Sequence, residues 1–176
     1  MKPLNSQNLL IASLLGLSTL FAGFYPLVKA QSEPKLGCQA TVDKILQEIR
    51  SKGVKWVKFE IDKGVANEGR TGNPTNRTDV LGIILSTSDW NSSRRTSDQT
   101  TILYIINNIL DSKKLMKSWA DRIVANCDNT AIVYFVGYGS DAFMDYYIQS
   151  DGTTKLSKCI DRENAPNTLP WGVERC

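Results

Sequence analysis

Apolar and polar positions along this chain change period several times, and each change marks an element. Val42, Ile45, Leu46 and Ile49 recur at helical spacing, with Asp43, Lys44, Gln47, Glu48 and Arg50 on the other side. Gly53 supplies the stop, so the pattern predicts an amphipathic helix over 39–52. Val57, Phe59 and Ile61 then alternate with Lys58, Glu60 and Asp62, the signature of a half-buried strand over 54–62. A polar stretch, 64–78, carries Gly69, Gly72 and Pro74 without periodicity and reads as a long loop. The unbroken run Val80–Leu85 predicts a central strand, and a second polar loop covers 87–98.

Helical spacing returns at Ile102, Ile105, Ile106, Ile109 and Leu110. Asp111 or Ser112 is placed to cap a following helix, whose face is Leu115, Met116, Trp119, Ile123 and Cys127. Strands are expected over 130–138, 142–149 and 153–159, the last two joined by the turn Ser150-Asp-Gly-Thr153. The tail 160–176 has no periodicity. Helices and strands therefore come in blocks. That order predicts an α+β fold, a mostly antiparallel sheet of about five strands with two or three helices packed on one face.

Ahead of all this lies a segment of a different kind. Lys2 precedes an uncharged run from Leu9 to Leu27, and Val28-Lys29-Ala30 offers small residues at the −3 and −1 positions of a cut before Gln31. This is the layout of a secretory signal peptide, with Pro26 placed to open the scissile region. Residues 31–176 are then the expected globular domain, secreted or periplasmic, with no membrane association once the signal is gone. Export also changes the charge. Lys2 and Lys29 leave with the leader, so the formal +3 of the whole chain falls to +1. A near-neutral domain without a basic stripe is a poor partner for nucleic acid.

Cys38, Cys127, Cys159 and Cys176 form an even set without any C-x-x-C spacing, which reads as two structural disulfides in an exported protein. Three connectivities are open. In an up-down-up meander, Cys127 and Cys159 fall at opposite ends of strands about seven residues long, roughly 20 Å apart, beyond disulfide reach. The expected pairs are Cys38–Cys127 and Cys159–Cys176, with Cys38–Cys159 plus Cys127–Cys176 still open.

Histidine is absent. That removes Ser-His-Asp and Cys-His catalysis, histidine metal sites and imidazole acid–base chemistry. No metal and no cofactor is expected. A G-x-G-x-x-A run at Gly137, Gly139 and Ala142, with Asp161 further on, leads into alternating strand residues rather than a helix, so it reads as a β-turn. Ser32-Glu-Pro-Lys35 lacks the partner motifs of a serine–lysine site. Asn76-Arg-Thr78 and Asn91-Ser-Ser93 are glycosylation sequons, relevant in a eukaryotic host. Hydrolysis would have to run on carboxylates, either Glu60 with Asp62 on one strand face or Asp141 with Asp145.

Aromatic residues cluster late, at Tyr134, Phe135, Tyr138, Phe143, Tyr146 and Tyr147, with Trp90 in a polar loop. Alternation puts about half of the strand aromatics on the face away from the helices. Trp90, Tyr138 and Tyr147 are accordingly the candidate ligand contacts. The leading expectation is a monomeric, non-catalytic module that binds a protein or glycan of the envelope. A carboxylate hydrolase and a structural or inhibitory protein acting through 87–98 are the alternatives.

The signal peptide, a cysteine opening a short helix, and Ile109-Leu-Asp-Ser-Lys-Lys-Leu-Met-Lys-Ser-Trp-Ala-Asp-Arg-Ile-Val-Ala-Asn-Cys127 before a β-meander together resemble small exported, uncharacterised proteins of cyanobacteria. The resemblance covers about 37–159. It implies no activity and carries over no catalytic residue.

Overall fold

The computed structural model describes residues 37–90, 99–138 and 142–176. The leader with its cut before Gln31, the Ser32–Lys35 motif, the second sequon, most of the 87–98 loop, and Gly139 and Asp141 lie outside the described residues.

The first helix, α1 (Cys38–Ser51), buries Thr41, Val42, Ile45, Leu46 and Ile49, the stripe its spacing predicts. It stops because Gly53 takes a left-handed turn, φ 101°, and its amide donates to the Arg50 carbonyl at 2.9 Å. Strands β1 (Trp56–Asp62), β2 (Arg70–Thr71) and β3 (Asp79–Ser86) follow. Then come α2 (Gln99–Asp111), α3 (Lys113–Asn126), β4 (Thr130–Gly137), β5 (Phe143–Ile148) and β6 (Thr154–Leu156). Ser112 stands at the N-cap of α3, but its side chain makes no capping bond; its carbonyl accepts the Met116 amide at 3.1 Å instead.

The main sheet runs β1-β3-β4-β5-β6. Every pair in it is antiparallel except β3–β4, which is parallel. The exception has a topological cause. Between β3 and β4 the chain passes through two helices, and a crossover of that length returns the next strand in the same direction. The result is α+β with a mixed, mostly antiparallel sheet.

One sheet face meets the helices. Val57, Leu81, Ile83, Leu85, Val133, Phe135, Tyr146 and Ile148 are buried there. Trp119 of α3 packs on Phe135 at 6.0 Å, and the Tyr146 hydroxyl donates to the Lys113 carbonyl at 3.0 Å. Glu48 ties α1 to α3. It accepts from Trp119 Nε1 at 2.8 Å and from both Arg122 terminal nitrogens, at 2.8 and 2.7 Å. That bidentate Arg122 contact is the main reason its carboxyl titrates below the usual range; burial opposes it and Trp119 assists.

The disulfides are Cys38–Cys127, with Cα atoms 4.5 Å apart, and Cys159–Cys176, at 5.7 Å. The first closes a separation of 89 residues and holds the start of α1 against the end of α3.

The strand expected over 153–159 divides at Ser157, whose amide donates to the Asp145 carbonyl at 2.8 Å. β6 stays in the main sheet, while β7 (Lys158–Ile160) leaves it to pair with β9 (Val173–Arg175). β8 (Leu169–Pro170) pairs in parallel with β2, so the tail and the 64–78 loop each lend the other a strand. Strands of two or three residues are too short to show periodicity, which is why both segments read as irregular. Arg77 fixes the loop from the other side, donating to the Val124, Cys127 and Thr130 carbonyls where α3 ends.

Candidate functional site

The register sets the outer sheet face out in rows. Lys58, Ile84, Val136 and Phe143 form one, and Glu60, Gly82, Tyr134 and Asp145 the next. Asp62, Val80, Ile132, Tyr147 and Lys155 form the row beyond. At the opposite end, Trp56 pairs with Ser86, and the Tyr138 amide donates to the Leu85 carbonyl at 2.7 Å. Side chains paired across adjacent strands share a face, so these rows are also rows of side chains.

The tail covers the Tyr147 end. Trp171 meets the Tyr147 ring edge-on at 4.9 Å, and its indole nitrogen donates to the Ile148 carbonyl at 2.8 Å. Arg70 donates to the Tyr147 hydroxyl at 2.8 Å and to Glu174 at 2.7 Å, and that hydroxyl donates to Glu174 in turn. Tyr147 is therefore 0% exposed. The strand alternation puts it on the outer face as expected, but the tail strands stand between it and any ligand.

Among the described residues no tail strand reaches the other end. Tyr138 is 65% exposed, Phe143 46% and Trp56 36%. Trp90 folds over this end, edge-on to Tyr138 with centroids 5.2 Å apart, and the Lys58 ammonium lies 4.8 Å from its ring centre. Of the three contacts predicted from sequence, Trp90 and Tyr138 come together and Tyr147 does not join them. Trp56, Lys58 and Phe143 complete the surface. Trp56 was legible, since it shares the strand phase of Lys58, Glu60 and Asp62.

A polar seam separates the open and covered halves. Tyr134 lies across Gly82 and donates to Glu60; a Cβ on Gly82 would overlap the phenol ring. Burial, then the Glu60 contact, pushes the Tyr134 hydroxyl well above the ordinary phenol range. Asp145 is partly buried, and its carboxyl is pushed up to about 7. Burial is the main cause and the Glu174 charge adds to it, while Arg70 pulls the other way. The two hydrolase pairs fare differently. Glu60 and Asp62 share the outer face in adjacent rows, with Glu60 engaged by Tyr134 and 4.0 Å from Lys58. Asp141 lies outside the described residues, so the neighbours resolved around Asp145 are Glu174 and Arg70.

Elsewhere, a cleft of 190 Å³ beside β6 brings Lys155 and Lys158 to Gln149 and Trp171, without a carboxylate. Among the described residues no group of His, Cys, Asp or Glu is arranged to hold a metal ion, and no helix is long and apolar enough to cross a membrane. No protein family, curated protein or solved structure matches this chain. The two disulfides fit an oxidising compartment, extracellular or periplasmic.

Proposed function

We propose that this is an exported, non-catalytic binding module, freed by cleavage before Gln31, whose open half-face takes a polysaccharide strand of the cell envelope. The observation that carries the reading is that Trp56, Trp90, Tyr138 and Phe143, with Trp90 packed on Tyr138, lie toward one end of the same sheet face, which no tail strand covers among the described residues. Sugar rings present apolar C–H faces that stack on aromatic rings, and their hydroxyls suit a polar border such as Lys58 and Glu60. Strands ~4.8 Å apart set the Trp56 and Tyr138 positions, two strands from each other, roughly 10 Å apart, the length of about one disaccharide. The near-neutral charge favours an uncharged polymer over nucleic acid.

The test is retention on purified peptidoglycan sacculi, chitin and cellulose. Retention that falls on the order of tenfold with Trp56→Ala or Tyr138→Ala supports the reading. Absence of retention on all three polymers, from folded and oxidised protein, removes it.

The raised Asp145 carboxyl favours a second reading, in which the seam works as a general acid on the same strand. Release of reducing ends that Asp145→Asn abolishes without lowering retention would select it.

A further inference from the structure

Among the described residues β1 is a border strand of the main sheet and pairs only with β3. Apart from Arg50, which donates to the Val57 carbonyl at 3.3 Å, no described residue outside β3 hydrogen-bonds its backbone. Border strands are often shortened, bulged, interrupted by proline or charged to prevent pairing with another chain, and of these devices β1 carries only charges, Lys58, Glu60 and Asp62. It runs seven residues, Trp-Val-Lys-Phe-Glu-Ile-Asp, with neither proline nor glycine.

Its side chains are complementary to their own reversed order. With a two-fold axis through Phe59 in an antiparallel pair, Lys58 of one copy stands opposite Glu60 of the other, twice. On the helix-facing side Val57 meets Ile61 twice, and Phe59 meets itself. Ile61 is 38% exposed and Phe59 partly exposed, so pairing would cover apolar surface that is now wet. Moving the axis to Lys58 sets two ammonium groups face to face, and moving it to Glu60 sets two carboxylates so. An axis between residues would pair opposite faces. Of the registers centred on Lys58, Phe59 and Glu60, the Phe59 register alone sets opposite charges together at its centre and apolar residues together on the helix-facing side, with Trp56 opposite Asp62 at its ends.

We propose that β1 is the interface between two copies of this chain, which join edge to edge in that register as one continuous sheet. The contact is isologous and closes at two. It does not depend on the polysaccharide reading, and it differs from the monomer expected from sequence. The open half-faces of the two copies would lie on the same side of the joined sheet.

Sedimentation of the oxidised protein across the micromolar range tests it. The parent protein should show a concentration-dependent monomer–dimer equilibrium that weakens with salt. Lys58→Glu sets carboxylates opposite each other at both contacts, and Glu60→Lys sets ammonium groups there. Each variant alone should dimerise about tenfold more weakly or worse. A mixture of the two single variants should associate again, because each then supplies the charge the other lacks, and the double swap K58E/E60K should do likewise. Circular dichroism confirms that each variant is folded, which matters for Glu60→Lys because Glu60 also receives Tyr134. A parent that stays monomeric, assemblies larger than two, or a mixture of folded variants that fails to associate would each overturn the interface.

Discussion

Replacing Asp145 by Asn should stabilise the protein at pH 8 and leave it nearly unchanged at pH 4. The carboxyl titrates near 7 in the fold, against 3.8 when free of it, because the seam buries it beside Glu174. A raised carboxyl binds its proton more tightly when folded. Between about pH 4 and 7 the folded state therefore holds more protons than the unfolded chain, and stability falls as pH rises through that window. Above 7 both states are ionised and the loss is complete. The shift of roughly 3 pKa units at ~1.4 kcal/mol each sets an upper limit of about 4 kcal/mol. Asn keeps the size and removes the charge, so the loss should disappear. Urea unfolding of the two oxidised proteins from pH 4 to 8 measures the difference directly. Groups common to both, such as Glu48, cancel in the comparison. A difference that stays flat from pH 5 to 8, or one that favours the parent protein at pH 8, would refute the reasoning.

Gly82→Ala should cost about 1–3 kcal/mol, because the new methyl group displaces the Tyr134 ring from Glu60. In a Tyr134→Ala background the same change should cost much less, a non-additivity that a double-mutant cycle on urea midpoints would read. Replacing both Cys159 and Cys176 by Ala should remove roughly 3 kcal/mol in the chain-entropy account of a 17-residue loop. It should also raise amide exchange over 158–176 while leaving α1 and α3 protected.

Much of this architecture was legible in the sequence because long elements carry long patterns. The stripe Val42, Ile45, Leu46, Ile49 fixed the buried face of α1, and the alternation from Val57 to Asp62 fixed both faces of β1. Cysteine reach over a meander argued against Cys127–Cys159 and left two connectivities, of which the preferred one is observed. What stayed hidden depends on residues distant in sequence. Arg70, Trp171 and Glu174 converge on Tyr147 from a loop and a tail without any period, so strand phase put Tyr147 on the correct face yet could not show it covered. The β3–β4 pairing was hidden for a related reason, since alternation gives a strand its faces and not its direction. Trp90 lies between: a loop tryptophan was a fair contact candidate, and its seat against Tyr138 and Lys58 is tertiary information.

The two disulfides also divide the chain by how it would respond to a protease. A break within 38–127, which includes both long loops, would leave its two pieces joined through Cys38 and Cys127, and a break within 159–176 would be bridged in the same way. Such a molecule would migrate as intact until a reductant separated the pieces. Between the first and last cysteines, 128–158 is the stretch without this covalent protection, and β4, buried at the middle of the main sheet, runs through it. There burial shields β4, while the exposed turn at 150–153 stays open to a cut that no cross-link would bridge.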